Sequence, residues 1–198
     1  MPCNHRFQAN LYPEHKLKYL FVGTFNPEWD NPNGNNANWF YGRRTNSFWN
    51  IMPRAFDHPS LNNPENRLNP EPWKQYCYEN SIGLTDMIET ILDANEQEHQ
   101  NQIINFLDDQ LENFNDIQLT DIINIIKENS ATLCGVYLTR YCHTLNENGI
   151  FNQRWLEIEN LCNQIGIHHS CLVTPSNGYM MPRDEKVELW QNGINNCE

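Results

Sequence analysis

The chain has 198 residues, of which 39% are hydrophobic and 12% aromatic, with a formal net charge of −12. Six tryptophans, nine phenylalanines and eight tyrosines suffice for a packed core, which argues against wholesale disorder. No apolar run approaches a membrane span and the first dozen residues lack a signal-peptide pattern, so a cytoplasmic protein with one domain over residues 1–198 is expected.

In chain order, Leu17 to Val22 is a short apolar run ended by Gly23 and reads as a buried strand. Thr24 to Thr45 is a long segment rich in Asn, Pro and Gly, and a loop of that length inside a compact domain is usually functional. Its asparagine tract, Asn33 to Asn38, reads as compositional. Ser47 is placed to cap a helix from Phe48 to about Phe56, with Pro53 inside it. Asn62 to Pro72 reads as a second polar loop, and Trp73 to Tyr78 as a short helix after Pro72. Ile82 to Ile88 is a strand or a strand-to-loop crossing.

Helical spacing follows over Gln102–Phe114 and Thr120–Lys127, the second capped by Asp116 or Thr120. Thr132 to Leu138 reads as a strand, Arg140 to Leu145 as a helix start and Asn152 to Gln164 as a helix. Ser170 to Val173 is a short strand, and Pro182 to Trp190 a last helix with Asp184 and Glu185 complementing its dipole. Strands alternating with helices predict an α/β fold, a three-layer α-β-α sandwich around a short parallel sheet. Ligands of such folds sit at the carboxyl ends of the strands, which brings Gly23–Pro27 and Thr174–Ser176 to one edge.

Seven cysteines, an odd number with no tight spacing, predict reduced, mostly buried thiols. No C-x-x-C or cysteine cluster supports a metal site, and the adjacent His168 and His169 read as loop or strand-entry residues. The acidic balance is uneven. Residues 1–60 carry six Lys/Arg against four acids, a net +2, so the remainder carries −14. From Asp86 to Glu128, Lys127 is the only cation. A phosphate backbone can approach the N-terminal part and is repelled by the middle; a solvated acidic face is the equal alternative.

Three segments stand out: Gly23-Thr24-Phe25-Asn26-Pro27-Glu28, Phe40-Tyr41-Gly42-Arg43-Arg44-Thr45-Asn46-Ser47-Phe48-Trp49, and Leu172-Val173-Thr174-Pro175-Ser176-Asn177-Gly178-Tyr179. Together they resemble the uracil-DNA glycosylase superfamily, which has a Gly-x-(Asp/Asn)-Pro loop after its first strand and an x-Pro-Ser loop after its last. The spacing of Tyr41, Asn46, Phe48 and Trp49 is similar to its mismatch-specific uracil and deoxyinosine (hypoxanthine) branches. Gly83 to Asp86 and Met181 to Trp190 also resemble family segments. The chain departs from the pattern in three places. One extra residue precedes Pro27, Thr174 replaces a His or Asn, and Gly178 falls where many members carry the residue that wedges into the duplex, leaving Tyr179 or Met180 for that task.

The resemblance implies a monofunctional DNA glycosylase of base-excision repair, hydrolysing the N-glycosidic bond of a flipped uracil or hypoxanthine. It implies Asn46 and Asn26 as catalytic residues, and Gly23, Thr24, Phe25 and Tyr41 as the base pocket. It implies DNA contacts from Arg43, Arg44, Thr174, Pro175, Ser176 and Tyr179. The expected partner is DNA containing a deaminated base, with no metal or cofactor, no membrane, and a monomeric protein. The alternative is a catalytically inactive member that binds DNA or a protein partner through the same cleft. Residue chemistry runs parallel: a tyrosine ring stacks a base, and an asparagine amide both donates and accepts along its edge. Taken singly, Asn26 before Pro27 is also a common turn start, and Asn46 also suits a helix entry.

Overall fold

The structure is a computed structural model that describes residues 1–104, 108–177 and 179–194. In chain order the elements are β1 (Cys3–Asn4), β2 (Tyr19–Gly23), α1 (Phe48–Ala55), α2 (Pro64–Leu68), α3 (Glu71–Glu79), β3 (Ile82–Asp86) and β4 (Ile88–Ile91). They continue with α4 (Glu96–Ile104), α5 (Asp108–Leu111), β5 (Ile117–Leu119), α6 (Ile122–Asn129), β6 (Gly135–Leu138), α7 (Ile150–Ile165), β7 (His168–Cys171) and α8 (Arg183–Gly193). Among the described residues, no helix is long and apolar enough to cross a membrane.

Four parallel strands form the central sheet in the order β3-β2-β6-β7. Every residue of β2, β3 and β6 is buried, as expected of strands covered on both faces. Alternation along the strands divides two cores. Tyr19, Phe21, Ile82, Leu84 and Tyr137 face Trp49 and Met52 of α1, Trp73 of α3 and Trp190 of α8. Leu20, Val22, Val136 and Leu138 face Ile125 of α6, Trp155 and Ile158 of α7, and Ile103 of α4. The result is an α/β/α sandwich. Its aromatic side is tightly specified: Trp49 stacks on Trp73 at 4.8 Å, and Phe21 on Trp190 at 5.6 Å. The indoles of Trp49 and Trp190 also have acceptors, Phe40 O and Val173 O respectively, both at 2.9 Å. Truncating such side chains typically costs about 3–5 kcal/mol.

The chain leaves β2 for β3 on one side and returns to β6 on the other. Strand order therefore reverses at β2, and the crevice of an open α/β sheet lies at that reversal, beyond the carboxyl ends. A second sheet, antiparallel β1-β4-β5, sits beside it, because β4 runs on from β3 after Met87 alone. Its pairing carries the N-terminal segment past the end of β3, with His5 N–H donating to Glu89 O at 2.8 Å.

Several elements depart from the sequence reading. The side sheet is absent from it, and the polar loop of 62–72 contains α2, capped by Asn63 with Pro64 at its first position. Asp121, not Asp116 or Thr120, caps α6 through Asn124 N–H. The stretch 102–114 is divided between α4 and α5, and residues 105–107 lie outside the described residues. The helix start at 140–145 is a single 3-10 turn over Cys142–Thr144, and His168 and His169 open β7. Cys3, Cys77 and Cys162 are free and buried, but Cys142 and Cys171 form a disulfide, contrary to the expectation of reduced thiols. The cause is topological: the turn after β6 folds back over the end of its neighbour β7 and brings the two Cα atoms to 5.6 Å.

Candidate active site

A cleft of about 660 Å³ opens at the carboxyl ends of the central strands. Of the residues singled out from sequence, Gly23, Thr24, Phe25, Asn26, Tyr41, Arg43, Asn46, Thr174, Pro175, Ser176 and Tyr179 line it. Arg44 is exposed and does not line it, Met180 is 99% exposed, and Gly178 lies outside the described residues.

Asn46 is held by two loops that pair with each other. Ser47 N–H donates to Pro175 O and Asn177 N–H to Thr45 O, both at 2.9 Å, so Asn46 faces Ser176 across an antiparallel bridge. The Ser47 hydroxyl donates to Asn177 Oδ1 at 2.6 Å and does not cap α1. Asn46 caps the helix instead, its Oδ1 accepting from Phe48 N–H at 2.8 Å. This bond fixes the amide orientation and leaves Nδ2 as the donor end. Lys186 locks the same junction from below. It is 2% exposed, and its Nζ donates to Thr174 O at 3.0 Å and Ser176 O at 2.7 Å. Burial and the neighbouring Arg183 lower its affinity for a proton.

The Arg43–Thr45 turn is braced by the asparagine tract. Asn35 Oδ1 accepts from Arg44 N–H and Asn35 Nδ2 donates to Thr45 Oγ1, so this tract has a structural task that composition did not reveal. Arg43 points inward, donating to Ile104 O at 3.3 Å, and burial with the nearby Arg6 lowers its proton affinity. Tyr41 has φ of +57°, a left-handed conformation costly for a tyrosine. That backbone turns its ring onto Phe48 at 4.0 Å, nearly coplanar, which commits one face to the core. Its hydroxyl lies 3.1 Å from Thr139 Oγ1, and burial holds the phenol protonated well above the usual range.

The first loop forms the opposite wall. Asn26 is 8% exposed, and its backbone carbonyl accepts from Arg6 N–H at 2.7 Å. Among the described residues its buried side-chain Oδ1 has no hydrogen-bond partner, so a donor from a ligand or water would satisfy it. Gly23 is required by crowding, because a Cβ there would meet Asp86 Oδ1 and come within 2.7 Å of the Tyr41 hydroxyl.

Sequence reasoning missed several residues of the cleft: Asp86, Thr139, Arg140, Tyr141, Thr144 and Asn146, with His5 and Lys186 behind them. Asp86 was within reach, as the last residue of a strand whose carboxyl end meets the ligand crevice. One group of metal-capable side chains occurs among the described residues, Cys142, Glu159 and Cys171. Its two sulfurs are bonded to each other, which leaves a single carboxylate.

No family model matches the chain, and no curated protein matches it by sequence. By structure it is similar to a solution NMR structure from Methanosarcina acetivorans, described as "a putative Uracil DNA glycosylase", with a TM-score of 0.50 and 15% identity. The likeness covers 90% of this chain and 92% of that one. The α/β/α fold is thus shared with a solved structure over nearly its whole length.

Proposed function

We propose that this chain is a monofunctional DNA glycosylase of the uracil-DNA glycosylase superfamily, related to its mismatch-specific and deoxyinosine branches and acting in base-excision repair. The observation that carries the reading is the convergence of Asn46, Asn26, Tyr41 and the Thr174–Ser176 loop on one cleft at the strand ends. These residues come from segments up to 150 positions apart in the chain.

A base inside a duplex is out of reach of any cleft, so the target nucleotide is flipped into it. The ring of Tyr41 or Phe25, both in the cleft lining, stacks the base, and the Asn26 and Asn46 amides meet its polar edge. Asn46 Nδ2, held by the cap bond of its oxygen, orients water or donates to the departing base, which carries negative charge in the transition state. Thr174 and Ser176 donate hydrogen bonds to backbone phosphates, and Arg44 supplies an exposed cation between Arg43 and Thr45 of the cleft lining. Tyr179 stands at the mouth, 42% exposed beside the open Met180, where a wedge would enter the stack. Incubating the protein with uracil- and hypoxanthine-containing oligonucleotides, followed by alkali, tests the reading. Strand scission at the modified position is expected, and intact strands with both substrates overturn it.

A further inference from the structure

Given the glycosylase reading, hydrolysis needs a group that takes a proton from the attacking water, and a neutral asparagine is too weak a base for it. Among the described residues that line the cleft, Asp86 is the single carboxylate, and no histidine lines it. Asp86 is the last residue of β3 and is 5% exposed. Its Oδ2 lies 2.7 Å from Nε2 of His5, whose side chain is fully buried. Nδ1 of the same ring accepts from Phe7 N–H at 3.0 Å, so in the neutral imidazole the proton sits on Nε2 and is donated to Asp86. The ring is fixed further by Phe40, stacked at 5.4 Å, and by the backbone bond from His5 to β4. One carboxylate oxygen is thereby spent on orientation. The other, Oδ1, lies against Gly23 and beside the Tyr41 hydroxyl, both of which line the cleft.

We propose that Asp86 is the catalytic residue that accepts the proton of the attacking water, with His5 as its positioning residue. Water oxygen bonds to C1′ of the deoxyribose while the C1′–N bond breaks and its electron pair leaves with the base. The water proton passes to Asp86 Oδ1, and the departing base takes its proton from solvent. The fixed negative charge also stabilises the positive charge that develops on the sugar. The charged and titratable groups that face Asp86 are His5 from the N-terminal segment and Tyr41 and Arg43 from the loop before α1.

The test compares single-turnover excision from uracil- and hypoxanthine-containing oligonucleotides by wild-type protein, Asp86→Asn, His5→Ala and His5→Gln. Affinity for a duplex with a tetrahydrofuran abasic analogue is measured alongside. Asp86→Asn is expected to lose about 10²–10⁴-fold in rate and to keep its affinity for the analogue. His5→Ala loses less, and His5→Gln, whose amide can still donate to the carboxylate, recovers most of that loss. An Asp86→Asn protein that excises at the wild-type rate overturns the inference, as does one that loses rate and affinity together. Should Asp86→Asn fail to fold, equal losses in His5→Ala and His5→Gln overturn it. Wild-type protein that excises neither base overturns the glycosylase reading along with this one, whereas an active wild type beside an active Asp86→Asn overturns this one alone.

Discussion

Replacing Asn46 separates the structural task its side chain performs from the catalytic one proposed for it. Its Oδ1 caps α1 through Phe48 N–H, and its Nδ2 is the donor proposed to act in the cleft. Asn46→Ala removes both. Losing the cap costs about 1 kcal/mol, which for a chain of this size lowers the melting temperature by about 2–4 °C. Losing the donor costs about 10²–10³-fold in rate. Asn46→Asp keeps an acceptor for Phe48 N–H, and its charge suits the amino end of α1, so stability is retained. It has no N–H to donate, so the rate falls as far as in Asn46→Ala. Thermal unfolding and single-turnover excision on the three proteins read the two effects separately. An Asn46→Asp protein with wild-type excision would refute the donor role, and an Asn46→Ala protein with an unchanged midpoint would refute the cap.

Arg44 is exposed and lies in sequence between two residues of the cleft lining, so Arg44→Ala should weaken DNA binding and lower the log–log salt slope by about one unit; an unchanged slope makes it a bystander. Lys186→Met strips the Thr174 and Ser176 carbonyls of a charged donor and should cost about 1.5–3 kcal/mol in denaturant titration. It should also slow excision by loosening the loop that faces Asn46, and a variant as stable and active as wild type contradicts that. Burial pushes the Cys3 thiol up to about 12 from the ordinary 9.0, with the nearby Glu28 charge adding to it. The folded state then binds more protons than the unfolded one, so this stability is complete below pH 9 and is lost as pH rises towards 12. Urea midpoints measured across that window should fall less steeply in Cys3→Ala than in wild type.

The central strands were legible because buried parallel strands are written as apolar runs, as in Leu17–Val22. The cleft followed from them, since loops after strand ends converge wherever the sheet is parallel. Asn46 was legible through its spacing from Tyr41 and Phe48, although the sequence suggested Ser47 for the cap that Asn46 supplies. The side sheet was hidden because strands of two to four residues are too short to show a period. The polar α2 carried end signals in Asn63 and Pro64 but no apolar stripe. His5 and Asp86 are 81 positions apart and are brought together by the pairing of β1 with β4 and the bridge from His5 to Pro27, neither of which the sequence signals. Lys186 carries no signal of its own in the sequence of the last helix, and the packing of α8 beneath the Thr174–Ser176 loop gives its ammonium two carbonyls.

The central claim is that this cleft releases a deaminated base from DNA. Its most direct measurement is incubation of the full chain with end-labelled oligonucleotides carrying one uracil or one hypoxanthine, followed by alkali and separation by size. Scission at the modified position, absent with unmodified strands and strongly reduced in Asn46→Asp, is the predicted result. Intact strands of both kinds, from a folded protein that still binds the DNA, would contradict the account and leave a cleft that binds without cutting.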